Sequence, residues 1–343
     1  MRAEDTRMFH EAAAAGEVVA TQLARNAQVM AELGDRLRHL SPTIALISGR
    51  GSSDNAGVYA RYLIETGTGV PTSPAALSAS SVYDVEPRLK GAVCIAISQS
   101  GQSPDLVASV SAARAGGAFV IALVNAPDSR LAAVADVTVP LHAGAETSVA
   151  ATKSFIASLS ALAQLIGCWT GDDALLEALD ALPDQLDAAF RQDWSPALET
   201  LVEAQSLYVV GRGPGYAVAR EAALKLKETC GLHAEAFSAA EIRHGPMALV
   251  KTGFPVLMLA QDDETRADMA ALAAEFADRD ARVMLAGAQG GPSVTALRAI
   301  DAHPAIQPIL LIQSFYRLAA MASVARGYDP DRPPFLNKVT ETL

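Results

Sequence analysis

The stretch Cys94-Ile95-Ala96-Ile97-Ser98-Gln99-Ser100-Gly101-Gln102-Ser103-Pro104-Asp105 decides how the rest of the chain is read. The short apolar run from Ala92 to Ile97 predicts a buried strand. It leads into a turn carrying three hydroxyls and one glycine. Ser103-Pro104-Asp105 then has the form of a helix start, with a hydroxyl N-cap, proline at the first helical position and an acid in the first turn. The helix is predicted to run through Leu106, Val107 and Val110 to about Arg114. A strand, a hydroxyl-rich turn and a helix N-terminus together make an anion site, because free backbone N–H groups and the positive dipole end face one point. Ser98, Ser100 and Ser103 add donors without bulk or fixed charge, as a neutral cradle for a phosphate ester would. An ordinary strand–helix turn with capping serines has the same spacing.

Working outward, the pattern of that stretch recurs. Thr43 to Ser48 reads as a buried strand, followed by Gly49-Arg50-Gly51-Ser52-Ser53 and a helix from Asn55 to about Thr66. Pro71 to Tyr83 suggests a short strand and turn. Val120 to Val124 and Val137 to Leu141 are further strands, and Gly144-Ala145-Glu146-Thr147-Ser148 is expected to open a long helix through Ala151, Phe155, Leu159 and Leu162. Alternation of this kind predicts an α/β fold, a parallel doubly wound sheet covered by helices. Residues 3 to about 40 read as one helix, and Asp172 to about Ala204 as a helical connection.

The second half repeats the first. Ile47-Ser48-Gly49-Arg50-Gly51 and Val209-Val210-Gly211-Arg212-Gly213 lie 162 residues apart; at the same offset Ile95 to Asp105 meets Leu257 to Ala267, and Val120 to Leu123 meets Arg282 to Leu285. Ser98-Gln99-Ser100-Gly101 then falls opposite Ala260-Gln261-Asp262-Asp263, where two carboxylates would repel a phosphate. One copy reads as an anion binder, and the other is expected to supply different chemistry.

The 343 residues favour two domains, and half of them are hydrophobic, which permits large cores. A net charge of −11 and no Lys/Arg cluster argue against a nucleic-acid surface. Cys94, Cys168 and Cys230 are odd in number and far apart, so they read as reduced, structural thiols of a cytoplasmic protein. The polar start Met1-Arg2-Ala3-Glu4-Asp5-Thr6 is unlike a signal peptide, and Ile156 to Trp169, the most apolar segment by inspection, is too short for a bilayer. No membrane association is expected.

Three other places carry candidate chemistry. Glu221-Ala-Ala-Leu-Lys-Leu-Lys-Glu228 is made of good helix formers and puts Glu221, Lys225 and Glu228 on one face. Periodicity alone favours a solvated face with a salt-bridge pair. Downstream, Ser238 to Glu241 has the form of a capping box, and Glu241 stands three residues before His244, where it would orient the imidazole ahead of Gly245-Pro246. His233 and His244 are too far apart for a metal pair, so neither metal nor cofactor is expected. In the tail Asp331-Arg-Pro-Pro-Phe335-Leu336-Asn-Lys338, Phe335 and Leu336 are expected to anchor the chain ahead of Lys338.

Taken in order, these motifs resemble the sugar isomerase (SIS) family, and within it the isomerase half of the glutamine–fructose-6-phosphate aminotransferases. The likeness spans Gly49, Ser98-Gln-Ser-Gly, Glu146 to Lys153, Ala223-Leu-Lys-Leu-Lys-Glu228, His233-Ala-Glu-Ala, His244-Gly-Pro and the Lys338 tail. It implies two tandem SIS domains, each a flavodoxin-like α/β/α layer structure, at 41–171 and 205–328, with a helical segment at 1–40, a connection at 172–204 and a tail at 329–343. The glutaminase half, which opens with a nucleophilic cysteine, has no counterpart, so ammonia from glutamine is not expected of this chain alone. The resemblance implies that Ser98, Gln99, Ser100 and Ser103 hold a sugar phosphate, and that Ser52, Ser53 and Val149 lie against the sugar. Ala151 replaces a family serine that contacts substrate. Glu228 is implied as the base between C1 and C2 with Lys225 beside it, His244 as the ring-opening group supplied across a homodimer interface, and Lys338 as a Schiff-base lysine. The activity implied is deamination and isomerisation of glucosamine 6-phosphate. The alternatives are a synthase-like aminotransferase, a fructosamine-phosphate deglycase and a sugar-phosphate-binding regulator.

Overall fold

A computed structural model describes residues 1–338; the last five residues of the predicted tail lie outside the described residues. In chain order the strands are β1 Ala45–Ser48, β2 Thr72–Pro74, β3 Val93–Ser98, β4 Phe119–Val124, β5 Val137–Pro140, β6 Ser206–Gly211, β7 His233–Ser238, β8 Pro255–Leu259, β9 Arg282–Ala286 and β10 Val294–Leu297. The helices are α1 Arg7–Ala13, α2 Ala15–Leu40, α3 Ser52–Thr68, α4 Leu77–Ser81, α5 Pro104–Ala115, α6 Arg130–Val134, α7 Lys153–Thr170, α8 Asp173–Phe190, α9 Leu198–Glu203, α10 Gly215–Cys230, α11 Arg266–Ala277 and α12 Gln307–Ala325.

The strands form two five-stranded sheets, of order β2-β1-β3-β4-β5 and β7-β6-β8-β9-β10. Every strand pair is parallel. The predicted duplication is therefore visible strand for strand. All six residues of β3 and all six of β4 are buried, as central strands covered on both faces must be. One core gathers Cys94, Ala96, Leu106, Val110, Val120 and Leu131; the other gathers Val210, Met258, Met269, Phe276, Val283 and Leu285. In both sheets the order reverses direction between the first and third strands. Such a switch point leaves a crevice beyond the carboxyl ends of those two strands, which is where ligands bind in this architecture.

Residue packing divides the chain into two units. The first comprises residues 17–146, 153–180 and, of the tail, 337–338, and holds the β1–β5 sheet; the second comprises 1–16, 147–152 and 181–336, and holds the β6–β10 sheet.

Four local expectations are corrected. The helix expected over 3–40 is a short 3-10 turn, α1 and α2, because Thr6 starts a helix of its own: its hydroxyl accepts from Phe9 N at 3.3 Å, and the Asp331 carboxylate accepts from Arg7 N and Met8 N at 2.8 Å each. The long helix opens at Lys153 and not at Gly144–Ser148, because side chains capture the intervening backbone donors. Glu11 accepts from the N–H groups of Thr147 and Ser148, and Glu146 accepts from Ser154 N at 3.1 Å and Ser154 Oγ at 2.6 Å. The Ser238–Glu241 capping box does not form: Ser238 closes β7 opposite Gly211, and the following 3-10 turn Glu241–His244 has Ala240 at its N-cap. Phe335 and Leu336 do not anchor the tail, being 103% and 43% exposed; the anchor is polar, Asp331 on α1. Finally, α12 is long and apolar enough to cross a membrane by composition, yet 78% of its apolar window is buried inside the protein, as in a core helix.

Candidate active site

In the first unit the crevice between β1 and β3 is bordered by two turns. The turn after β3 closes on itself: Gly101 N donates to Ser98 Oγ at 2.9 Å and Gln102 N to Ser100 Oγ at 3.3 Å. Gly101 has φ +62°, and a Cβ there would stand 2.1 Å from Ser129 Oγ, so the tight turn requires glycine. Ser103 occupies the N-cap of α5 with Pro104 at the first helical position, as predicted, but its hydroxyl does not cap. Among the described residues neither Ser103 nor Gln99 makes a side-chain hydrogen bond, so both retain donors. Across the crevice, Gly51 is the N-cap of α3, and Ser52 and Ser53 are its first two residues. Two helix N-termini and five serines thus converge on one switch point.

The border is not neutral. Arg50, between β1 and α3, donates from Nε at 2.9 Å and Nη2 at 2.7 Å to Asp105 Oδ2. Asp105 is buried in the first turn of α5, and its other oxygen accepts from Leu106 N at 2.8 Å. Sequence reasoning missed this pair. The available signal was an arginine enclosed in a Gly-Arg-Gly turn directly after a strand.

Lys338 also belongs to this unit. Its ammonium lies 3.1 Å from Glu146 Oε2, and the Glu146 side chain is fully buried. A tail lysine is ordinarily solvated; this one is paired with a carboxylate that Ser154 already orients.

In the second unit, α10 carries Glu221, Lys225 and Glu228. The expectation of a solvated face does not hold. Glu221 and Lys225 are buried, Lys225 Nζ is 3.4 Å from Glu221 Oε1 and forms a short ion pair with Glu228, and Tyr316 Oη donates to Glu221 at 3.4 Å. Burial by itself pushes the Lys225 ammonium down, but the two carboxylates outweigh it and hold the group above the ordinary lysine range. Glu228 alone of the three keeps access to solvent, with its side chain 23% exposed. The result is a carboxylate held on a rigid helix by a permanent cation, which is what a proton-shuttling base requires.

His244 stands exposed at the end of its 3-10 turn, followed by Gly245 at φ +147°. The expected Glu241 partner does not bond to it; the neighbouring Arg243 pairs instead with Glu275 at 3.0 Å. Val149 lies in the segment 147–152, which Glu11 holds through Thr147 and Ser148, and its N–H reaches Asp331 O at 3.5 Å. The structure thus gathers Ser52, Ser53, Ser98, Gln99, Ser100 and Ser103 around one crevice and joins Lys225 to Glu228. It leaves His244 on an open surface.

The β6/β8 crevice of the second unit is furnished differently. Gln261, which replaces Gln99 at the 162-residue offset, is fully buried, and its Nε2 donates to Arg212 O at 2.9 Å and Asp263 Oδ2 at 2.7 Å. Asp263 in turn accepts from Thr265 N at 2.8 Å and Thr265 Oγ1 at 2.6 Å, and Asp262 pairs with Arg266 at 2.6 Å. This crevice is bridged by its own side chains.

Comparison with known proteins agrees with this architecture. Residues 42–167 and 200–307 each match the SIS domain, and the chain belongs to that family. It is 36% identical over 313 residues to the glutamine–fructose-6-phosphate aminotransferase of Aeropyrum pernix, a match covering 85% of this chain and 50% of that protein. The chain spans about half the length of the curated relatives it matches. Among solved structures, a Silicibacter pomeroyi protein provisionally named a phosphosugar isomerase superposes with a TM-score of 0.91 at 41% identity, covering 95% of this chain and all of that one. The C-terminal domain of the Francisella tularensis glucosamine–fructose-6-phosphate aminotransferase superposes with a TM-score of 0.83 at 26% identity, covering 95% and 97%.

Proposed function

We propose that this chain is a phosphosugar aldose–ketose isomerase that deaminates an amino sugar, converting glucosamine 6-phosphate to fructose 6-phosphate and ammonia. The observation that carries the reading is the α10 cluster, a solvent-accessible Glu228 fastened to the buried Lys225. In this reading the β1/β3 crevice takes the phosphate through Ser98, Gln99, Ser100 and Ser103, and Ser52, Ser53 and Val149 contact the sugar.

His244 opens the pyranose by moving a proton at the ring oxygen, chemistry that imidazole performs near neutral pH. Glu228 then removes the C2 proton of the open-chain aldose and returns it to C1. That transfer leaves an imine at C2, and water adds to it, expelling ammonia and leaving the C2 ketone. Lys338 offers a second exit: once its proton passes to another group, its amine displaces ammonia as a transient Schiff base that water then hydrolyses. Lys225 stays cationic and fixes the Glu228 side chain in place. His244, exposed and unpartnered among the described residues, fits a role across a homodimer interface. The buried thiols Cys94 and Cys230, each pushed up to about 11 by burial, are unreactive and suit a reducing cytoplasm.

A synthase-like reading runs the same steps in reverse, from fructose 6-phosphate and ammonia. Its support is the identity to aminotransferases at 33% and 36%. The test is ammonia release from glucosamine 6-phosphate, beside glucosamine 6-phosphate formation from fructose 6-phosphate and ammonium. Release by the parent and none by Glu228→Gln supports the deaminase. Activity in neither direction, nor on a fructosamine phosphate, returns the chain to a sugar-phosphate-binding role.

A further inference from the structure

We propose that Arg50 is a phosphate-binding residue of the β1/β3 crevice, supplying the one fixed positive charge to a cradle otherwise built of hydroxyls and backbone N–H groups. The proposal rests on the phosphosugar reading above. Arg50 lies in the turn between β1 and α3, on the same switch point as the Ser98–Ser103 turn. Only one edge of its guanidinium is used: Nε and Nη2 both meet Asp105 Oδ2, while Nη1 makes no hydrogen bond among the described residues. The side chain is 56% exposed, yet its anchor is 2% exposed and is itself fixed to Leu106 N. A guanidinium held by one edge on a buried acid, with its other edge open at two helix N-termini, is organised in advance to bind an oxyanion. Arg is suited to this because its planar fork presents donors on two edges at once.

The duplicated copy gives an internal control. Arg212 stands at the corresponding place 162 residues on, but Ala267 stands where Asp105 would be, and Arg212 forms no ion pair among the described residues. In that copy Ser100 is replaced by Asp262, Gly101 by Asp263, and Ser52 and Ser53 by Pro214 and Gly215. The arginine-on-acid anchor therefore occurs with the hydroxyl cradle and is absent where the cradle is absent. In the second copy the turn after the first strand is held instead by Gln261 Nε2 donating to Arg212 O at 2.9 Å, with the arginine side chain outside any ion pair among the described residues.

The experiment is calorimetric titration of the full chain with fructose 6-phosphate and, separately, inorganic phosphate, at several salt concentrations. The proteins are the parent, Arg50→Met, Arg50→Lys and Asp105→Asn, and thermal unfolding is followed for each. A phosphate ligand predicts that Arg50→Met weakens both ligands by about 10- to 100-fold and flattens the salt dependence of Kd, because charge-assisted, screened contact is lost. Arg50→Lys should recover part of the loss, and Asp105→Asn, which keeps an acceptor for Leu106 N, should hold affinity within about threefold. Equal weakening by Arg50→Met and Asp105→Asn, with matching falls in Tm and an unchanged salt slope, would make the pair a brace and overturn the proposal. So would Arg50→Met binding like the parent. A parent protein that binds neither probe would instead bring down the phosphosugar reading, and this proposal with it.

Discussion

The two crevices of this molecule share a strand order and a Gly-Arg-Gly turn, and part company within a few side chains. Around β1 and β3, Ser98 and Ser100 close their own turn, Gln99 and Ser103 keep unused side-chain donors among the described residues, and Arg50 lies along the edge. Around β6 and β8, Gln261 crosses the gap to Arg212 O, and Asp263 spends both oxygens inside its own turn. The difference is one of where polar groups find their partners. The first copy leaves the side-chain donors of Gln99 and Ser103 unspent at the N-terminus of α5 among the described residues, a state that favours a bound anion. The second spends the Gln261 amide donor and both Asp263 oxygens on bonds within its own crevice. Duplication supplied two equivalent frames, and buried hydrogen bonding decided which frame stayed open.

That contrast is open to attack by mutation. Glu228→Gln, which removes the proposed base from the second copy while leaving the first untouched, should lower turnover by about 10²- to 10⁴-fold, with sugar-phosphate affinity held within a few-fold. Steady-state kinetics and calorimetry on one preparation check it. Next, Ser100→Asp imports the second copy's carboxylate into the first. A like charge beside a phosphate should cost about 3 kcal/mol, a rise of roughly a hundredfold in Kd for fructose 6-phosphate, with Tm little changed. Gly101→Ala tests the turn itself: positive φ and the approach to Ser129 Oγ should cost about 1–3 kcal/mol in denaturant unfolding. Gln261→Ala should cost about 1–2 kcal/mol by leaving Arg212 O and Asp263 without their donor, and should leave phosphate affinity unchanged. If it weakens phosphate binding, the two crevices are not separate in function.

The smallest effect concerns pH. The folded-state pKa of Lys225 is raised, so its stabilising contribution is complete below the unfolded lysine value of about 10.4 and is lost only as pH rises through the higher folded value. Unfolding free energies of the parent and Lys225→Met should therefore differ by a constant amount between about pH 6 and 9. The difference should shrink only in strong alkali.

Much of the frame was legible because the duplication keeps one offset. β1 and β6, β3 and β8, and α5 and α11 all fall at or within a residue of 162. The last strands break it, β10 beginning 157 residues after β5, because nothing in a short apolar run marks how long the preceding loop is. The serine turn was legible as a turn, since hydroxyls, glycine and Ser-Pro-Asp carry local conformational meaning. Arg50–Asp105 was not, because its partners are 55 residues apart and meet only through the β1–β3 pairing. The same holds for Glu11, which reaches Thr147 across 136 residues and so decides where α7 begins. For Glu221 and Lys225 the spacing was read correctly and the environment wrongly. Periodicity shows which residues share a face, and only packing against α12, with Tyr316 over Glu221, shows that the face is buried. Phe335 and Leu336 mislead in the opposite sense: apolar side chains in a tail suggest an anchor, and the anchor is an aspartate capping a helix.

The central claim is that Glu228, fastened to Lys225, moves the proton that turns an amino aldose phosphate into a ketose phosphate. The most direct measurement is solvent deuterium exchange at C1 of fructose 6-phosphate, followed by proton NMR with the parent and Glu228→Gln. The account predicts exchange with the parent and none with the variant, although the variant still binds the sugar. Exchange at equal rates in both would contradict it.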